Sequence, residues 1–247
     1  MWHPNHHGFK SSHSTTTAVA QLYDCWLQAA EYKDFSAALL LDLSAAFDVV
    51  NHQILLRKLR LYNFSENSIG WFESYLKDRS QYVIVESRLS DPMSVGDAGV
   101  PQGSLLGPLC FIIFYNDFPS IRQTGSSVVY ADDDTDTVRA PNVPTLLDKI
   151  QHEANLSTGW VKDNKLVCSG QKTKLLMIST KELRRSRVDE NSVLSIDVAG
   201  HRVHESKSEK LLGMVINNSM TWYNHLYGDD DNPVSYTHLT LPTNREV

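Results

Sequence analysis

Two apolar stretches of strand length run straight into carboxylates, and that arrangement narrows what this chain can become. FSAALLLDLS carries Asp42 after seven strand-compatible residues. SSVVYA leads into Asp132, Asp133 and Asp134, and the β-prone TDTV follows. A carboxylate at the end of a buried strand is costly unless it is paired, hydrogen-bonded or bound to a metal. Strand ends from different parts of a chain can bring such groups to one point, where divalent cations relieve their repulsion. Hard oxygen ligands of this kind suit Mg²⁺. Two ions about 3.5–4 Å apart can stabilise both the attacking and the leaving oxygen of an in-line phosphoryl displacement. The competing reading is a solvated acidic turn, and the residues alone leave both open.

The remaining pattern places those strands in an α+β domain. The 3–4 spacing of Ala18, Leu22, Cys25, Trp26 and Ala29 predicts a helix over Ser14–Tyr32, with a Ser or Thr as its cap. Asn51–Leu61 and Ser65–Lys77 read as two amphipathic helices, and Thr145–Asp163 as a longer one. Gln81–Val85 reads as a strand that turns through Arg88–Asp91 into a partner. The glycine-rich loop GDAGVPQG precedes a helix from about Ser104 to Asn116, and SSVVYADDDTDTV reads as two strands around a tight turn. Lys174–Ile178, Ser192–Val198 and Leu211–Ile216 complete the strands. Irregular alternation with hairpin-like pairs favours α+β over a doubly wound parallel sheet.

Charge and hydropathy limit the partners. The 247 residues carry a net charge of −6, with 41% hydrophobic and 21% charged residues, which is ordinary globular composition. The charge is uneven: Lys165–Lys210 holds ten Lys/Arg against six Asp/Glu, and the rest of the chain is correspondingly acidic. Such a division suits a protein that holds cations in one place and phosphates in another. The longest apolar run, Leu105–Tyr115, is broken by a Gly and a Pro and is too short for a bilayer, so no membrane partner is expected. The opening MWHPNHHGFKSSHS lacks the apolar core of a secretory signal. Cys25, Cys110 and Cys168, with no C-x-x-C, predict free thiols in a reducing compartment. His3, His6, His7 and His13 lack a zinc-site pattern and predict a mobile polar end. At the other end, VSYTHLTLPT back-translates to a sequence resembling a transposase adaptor read in frame. Val234–Val247 is therefore expected to be a non-native remnant on an excerpt of a longer protein.

LDLSAAFDVVNH, GVPQGSLLGPLCFIIFYNDFP and VVYADDDTD, in that order, resemble motifs A, B and C of reverse transcriptases, above all those of non-LTR (LINE-like) retrotransposons. NHHGFKSSHSTTTA is similar to their segment between fingers and palm, and WFESYLKDRSQYVIV to the insertion between motifs A and B. NLSTGWVKDNKLVCSGQKTKLLMIST resembles motif D, and EKLLGMVINNSMTWYNHL the segment entering the primer grip and thumb. The resemblance runs from about residue 5 to about residue 228. It implies a palm whose antiparallel sheet carries helices on one face and clusters its metal carboxylates on the open side. The implied division is 1–35 residual fingers and connection, 36–180 palm with motifs A–D, and 181–233 primer grip and start of the thumb, followed by the 234–247 tail.

The resemblance also implies roles. Asp42, Asp132 and Asp133, with the Leu43 carbonyl, would hold two Mg²⁺ ions, for which Mn²⁺ could substitute. Phe47 would lie under the incoming sugar and exclude a ribose 2′-hydroxyl, while Gln102 and Gly103 would approach the nascent base pair. Lys172 would meet the pyrophosphate leaving group, and Lys10, Pro101 and Tyr130 would contact template or primer. Asp48 reads as a turn or capping group and His52 as a partly buried residue opening a helix. Asp134 departs from the small or hydroxyl residue usual after YADD, and is expected to point away from the metals or onto their rim. Ser169 stands where motif D commonly has Asn. The implied partners are an RNA template, a DNA primer and deoxynucleoside triphosphates, in the cytoplasm and nucleus. Oligomeric state is not legible. The basic fingers motifs are not among these residues, so the chain alone is expected not to polymerise. Two rivals stand beside this reading: an inert retrotransposon-derived fragment that keeps the palm fold, and another two-metal enzyme such as a nuclease. A nuclease needs neither motif B nor a sugar gate.

Overall fold

The computed structural model describes residues 2–188, 194–221 and His225. The chain opens with helix α1 (Thr15–Glu31), capped by Ser14, whose side chain accepts from the Thr17 amide while Thr17 reaches back to Ser14. Strand β1 (Phe35–Leu41) follows, then α2 (His52–Leu61) and α3 (Glu66–Leu76). Four two-residue strands come next, β2 (Ser80–Gln81), β3 (Ile84–Val85), β4 (Arg88–Leu89) and β5 (Met93–Ser94), before α4 (Leu106–Tyr115). A 3₁₀ turn at Phe118–Ile121 leads into β6 (Ser126–Tyr130), β7 (Asp133–Ala140) and α5 (Val143–Asp163). The remaining elements are β8 (Lys174–Ile178), α6 (Lys181–Arg187), β9 (Ser195–Val198), β10 (His201–Ser206), β11 (Ser208–Leu211) and β12 (Met214–Asn217).

The main sheet has the order β6-β7-β1-β8-β10-β9, and every pairing is antiparallel except β8 with β10. Period-two alternation sorts β1 between two cores. Phe35, Ala37, Leu39 and Leu41 enter the larger core with α2–α5, where Phe111, Phe114, Tyr115 and Trp160 pack together. Each fully buried side chain of this size contributes roughly 1.5–3 kcal/mol. The α+β palm architecture expected from the sequence is thus present, with its helical layer on that face. One helix outside that layer, α1, lies on the opposite face, where Ala18, Leu22 and Trp26 cover Ala38, Val128 and Leu176. The β11–β12 hairpin joins it through Leu211 and Ile216. The rest of that face, towards the end of β1 and the start of β7, carries Asp133.

Several local expectations need correction. Gln81–Val85 is not one strand, and the turn is not at Arg88–Asp91: β3 and β4 pair as a hairpin through Glu86 and Ser87, whose φ values are 48° and 65°. Two successive positive φ values make the tight turn whose twist matches paired strands. Leu211–Ile216 is likewise two strands around Leu212 (φ 48°) and Gly213 (φ 89°). The N-terminus is not a mobile polar end. The Val129 amide donates to Asn5 O (2.9 Å) and the His7 amide donates to Val129 O (2.7 Å), which lays a single parallel bridge at His6 along the free edge of β6. His6 and His7 are buried there, 1% and 4% exposed. Residues 234–247 lie outside the described residues, as do 222–224 and 226–233.

Candidate active site

The register of the two central strands brings the acidic groups together. Leu41 pairs with Asp134, so Asp42, one residue further, comes level with Asp133. Residues directly opposite in an antiparallel pair have Cα atoms about 4.5–5.5 Å apart. Alternation then divides the acidic run. Asp134 and Asp136 enter the larger core, as the buried neighbours of Tyr115, while Asp133 starts β7 exposed on the other face. Asp132 sits in the turn beside Ala131, whose φ is 59°. Asp134 therefore turns its side chain into the core, although the residue still lines the cleft with Asp42 and Asp133.

Electrostatics tie Asp133 to the other two groups. The Asp133 carboxyl is raised above its ordinary range, first by desolvation, then by the negative charges of Asp132 and Asp42. Asp42 has a buried Oδ2 with no hydrogen-bond partner among the described residues. Asp42 and Asp133 line a cleft of about 230 Å³ with Lys172, Lys174 and Lys210, closed on one side by the β11–β12 hairpin. Hard oxygens with an unsatisfied lone pair and mutual repulsion are a donor set that fits a divalent cation. Among the described residues, however, no three His, Cys, Asp or Glu side chains are already gathered as a metal cage.

The Lys172 segment is bonded directly to the Asp42 strand. The Ser169 amide donates to Asp42 O (2.9 Å), the Ser44 amide donates to Val167 O (2.8 Å), and Leu43 bridges Cys168 between them. Those bonds use the Asp42 carbonyl and the Ser44 amide, so neither polar group of the Leu43 backbone is spent on the bridge. Thr173 Oγ1 accepts from the Asp42 amide (3.3 Å) and donates to Ser169 O (2.9 Å). Lys172 is thereby fixed at its backbone with an exposed side chain. Ser169, where motif D commonly has Asn, supplies its amide and carbonyl here, and its Oγ also accepts from the Lys172 amide (3.3 Å).

The loop before α4 forms a second cleft, about 580 Å³, lined by Asp48, Arg79 and Gly99–Gln102. Asp48 lies in the turn after β1, as one of its two readings expected, with its amide donating to Ala45 O (2.9 Å); its carboxylate caps no helix but accepts from the exposed Gln102 at Oδ1 (2.8 Å). Gly103 has φ +81° with open space around it, so backbone conformation is what selects glycine there. His52 opens α2 and is buried, 6% exposed, its Nε2 against Gly99 O at 2.8 Å. Pro101 O accepts from Ser104 Oγ (2.8 Å), and a Cβ on Gly107 would overlap that same carbonyl oxygen, a packing need the sequence did not reveal. Phe47 is half-buried and stacks on Phe111 with ring centroids 4.4 Å apart. It lies outside the lining of the carboxylate cleft. Tyr130 ends β6 opposite Asp133 and packs against the α1 core, and Lys10 lies beside the N-terminal histidines.

A buried polar network beneath the site was also missed by sequence reasoning, since nothing local marks it. Arg122, 4% exposed at its side chain, donates to Asp136 Oδ2 (2.8 Å) and Ser157 Oγ (2.7 Å), and lies over the Phe118 ring. Burial would raise Glu153, but the Thr124 and Gln123 amides, the Thr124 hydroxyl and Arg122 outweigh it and hold that carboxylate lowered. Asp134 is held well above the ordinary carboxylate range by burial and by Asp136, and Ser127 Oγ donates to it.

A mostly antiparallel sheet backed by helices, with acidic residues at the ends of its central strands and a lysine segment beside them, defines a polymerase palm. Residues 1–216 match the family model described as reverse transcriptase (RNA-dependent DNA polymerase), and the chain belongs to that family. It is 41% identical over 117 residues to the probable RNA-directed DNA polymerase from transposon BS of Drosophila melanogaster, covering 47% of this chain and 13% of that protein. It is 28% identical to the probable RNA-directed DNA polymerase from transposon X-element of the same species, covering 90% of this chain. The chain spans only 24% of that relative's length. In fold it is similar to apo telomerase from Candida tropicalis, with TM-score 0.59 at 12% identity, covering 88% of this chain and 36% of that one.

Proposed function

We propose that this chain is the catalytic palm of a retrotransposon RNA-directed DNA polymerase, which extends a DNA primer with deoxynucleotides on an RNA template. The observation that carries the reading is the register that brings Asp42 level with Asp133 at a cleft that Lys172 also lines, with Asp132 next in the chain and its charge acting on Asp133. Asp42, Asp132, Asp133 and the Leu43 carbonyl would hold two Mg²⁺ ions, with Mn²⁺ as a substitute. When bound, such ions offset triphosphate charge and favour the deprotonated primer hydroxyl. The chain's own residues do the rest. Lys172, exposed on a backbone pinned to the Asp42 strand, presents an ammonium to the leaving pyrophosphate and can give it a proton. Gln102 and Gly103 offer a close-approach loop to the nascent base pair, and Phe47, backed by Phe111, limits room at the sugar. Pro101, Tyr130 and Lys10 would contact template or primer. Residues 36–180 would then be palm, with fingers connection before and primer grip after.

A second reading, a palm that keeps the fold without catalysing, is favoured by the carboxylates not being gathered into a cage. RNA-templated primer extension separates the two, in an enzyme of its relatives' length that carries this chain as its palm. Incorporation that disappears with Asp133→Asn supports catalysis. No incorporation by the parent, or incorporation indifferent to that substitution, overturns it.

A further inference from the structure

We propose that residues 5–8 are a positioning strand for the acidic turn, with Gly8 the residue that lets the turn sit where it does. This inference rests on the proposed metal site at Asp42, Asp132 and Asp133. The strand β6 that delivers the turn is held on one edge by β7 and on the other by Asn5–His7, through the two backbone bonds to Val129. One residue further, Gly8 is buried against the turn itself. A Cβ there would overlap the Ala131 amide nitrogen and lie 3.0 Å from Ala131 Cα and 3.2 Å from the Tyr130 carbonyl carbon. These are backbone atoms, which cannot rotate aside. Ala131 already occupies positive φ at 59°, so it has little conformational room in which to retreat.

The positioning strand is itself anchored, so the strain of any added side chain falls on the turn. His7 bonds Thr17 Oγ1 (2.9 Å) and Gln21 Oε1 (2.8 Å), and Gln21 Nε2 donates to Asn5 Oδ1 (3.1 Å). Both partners belong to α1, which is packed on the sheet through Ala18, Leu22 and Trp26. The His3 amide donates to Asn116 Oδ1 at 2.8 Å, a second tie to the body of the domain. A displaced Ala131 moves Asp132, its neighbour in the chain, and then Asp133.

The test uses the 247-residue chain and two readouts, amide hydrogen exchange and Mn²⁺ affinity by water proton relaxation. Gly8→Ala should speed exchange across 126–133 while leaving α2 and α3 unchanged, and weaken Mn²⁺ binding about 10–100-fold, the usual cost of disturbing groups that orient metal ligands. Gln21→Ala, which loosens the anchor without adding volume, should shift both readouts the same way by less, and keeps the test available if Gly8→Ala fails to fold. Gly70→Ala, on α3 with nothing near its added Cβ, should change neither. Unchanged exchange at 126–133, or faster exchange spread evenly over the chain, would overturn the positioning role, as would unaltered Mn²⁺ affinity beside a locally loosened turn. A parent chain that binds no Mn²⁺ would instead sink the metal site, and exchange alone would then judge the strand.

Discussion

Acid should loosen the N-terminal strand through one residue, His6. Its side chain is buried at 1% exposure, and the Gly8 backbone offers the charged ring only the smallest of the effects acting on it. Burial first, then the charge of Lys10 and the neighbouring rings of His7 and His3, push its pKa from 6.5 to about 4. The unfolded chain therefore takes up this proton near pH 6.5, and the folded chain only near pH 4. Between those values the unfolded state binds more protons, so stability falls as pH falls through that window and levels off below it. At ~1.36 kcal/mol per tenfold difference in proton affinity, the loss by pH 4 is about 3 kcal/mol. Urea unfolding of the parent and His6→Leu at several pH values isolates the effect, because His3 and His7, also lowered, remain in both proteins. The parent should lose about 3 kcal/mol more than the variant between pH 7 and pH 4. Parallel pH profiles would refute the reasoning.

Two further outcomes follow from the larger core. Arg122→Ala should cost about 3–5 kcal/mol, because it leaves Asp136 and Glu153 buried without their shared cation; thermal melts should show a drop of roughly 10 °C, and a negligible shift would contradict the network. Phe47→Val in a full-length enzyme should relax discrimination against ribonucleotides in primer extension, with a stability loss of about 0.5–1.5 kcal/mol from the lost stack on Phe111. Equal discrimination by variant and parent would remove Phe47 from the sugar site.

What the sequence made legible was what local pattern encodes. Period-3.6 spacing placed α1, α2, α3 and α5 within a few residues, and the apolar-strand-then-carboxylate pattern marked Asp42 and the motif C turn. The misplaced features share one cause, that tertiary contact decides them. Glu86 and Ser87 take positive φ although neither is glycine or asparagine, so their turn carried no signal. His6 and His7 look like a polar tail until β6 offers them an edge, and Arg122 looks like a loop arginine until Asp136, Ser157 and Glu153 close on it. Gly8 and Gly107 each meet a backbone far away in sequence or across a loop, which no spacing rule anticipates. Strand β10, whose pairing with β8 is parallel and only two residues long, was not foreseen at all.

The account stands or falls on whether the three aspartates share ions. Anomalous diffraction from crystals of this chain grown with Mn²⁺ would locate the metal without reference to activity. Two peaks about 3.5–4 Å apart are predicted, ligated by Asp42, Asp132 and Asp133 with the Leu43 carbonyl, and lost in Asp42→Asn crystals. Manganese held only at other surface carboxylates, or a site at Asp132 and Asp133 that Asp42→Asn leaves intact, would contradict it.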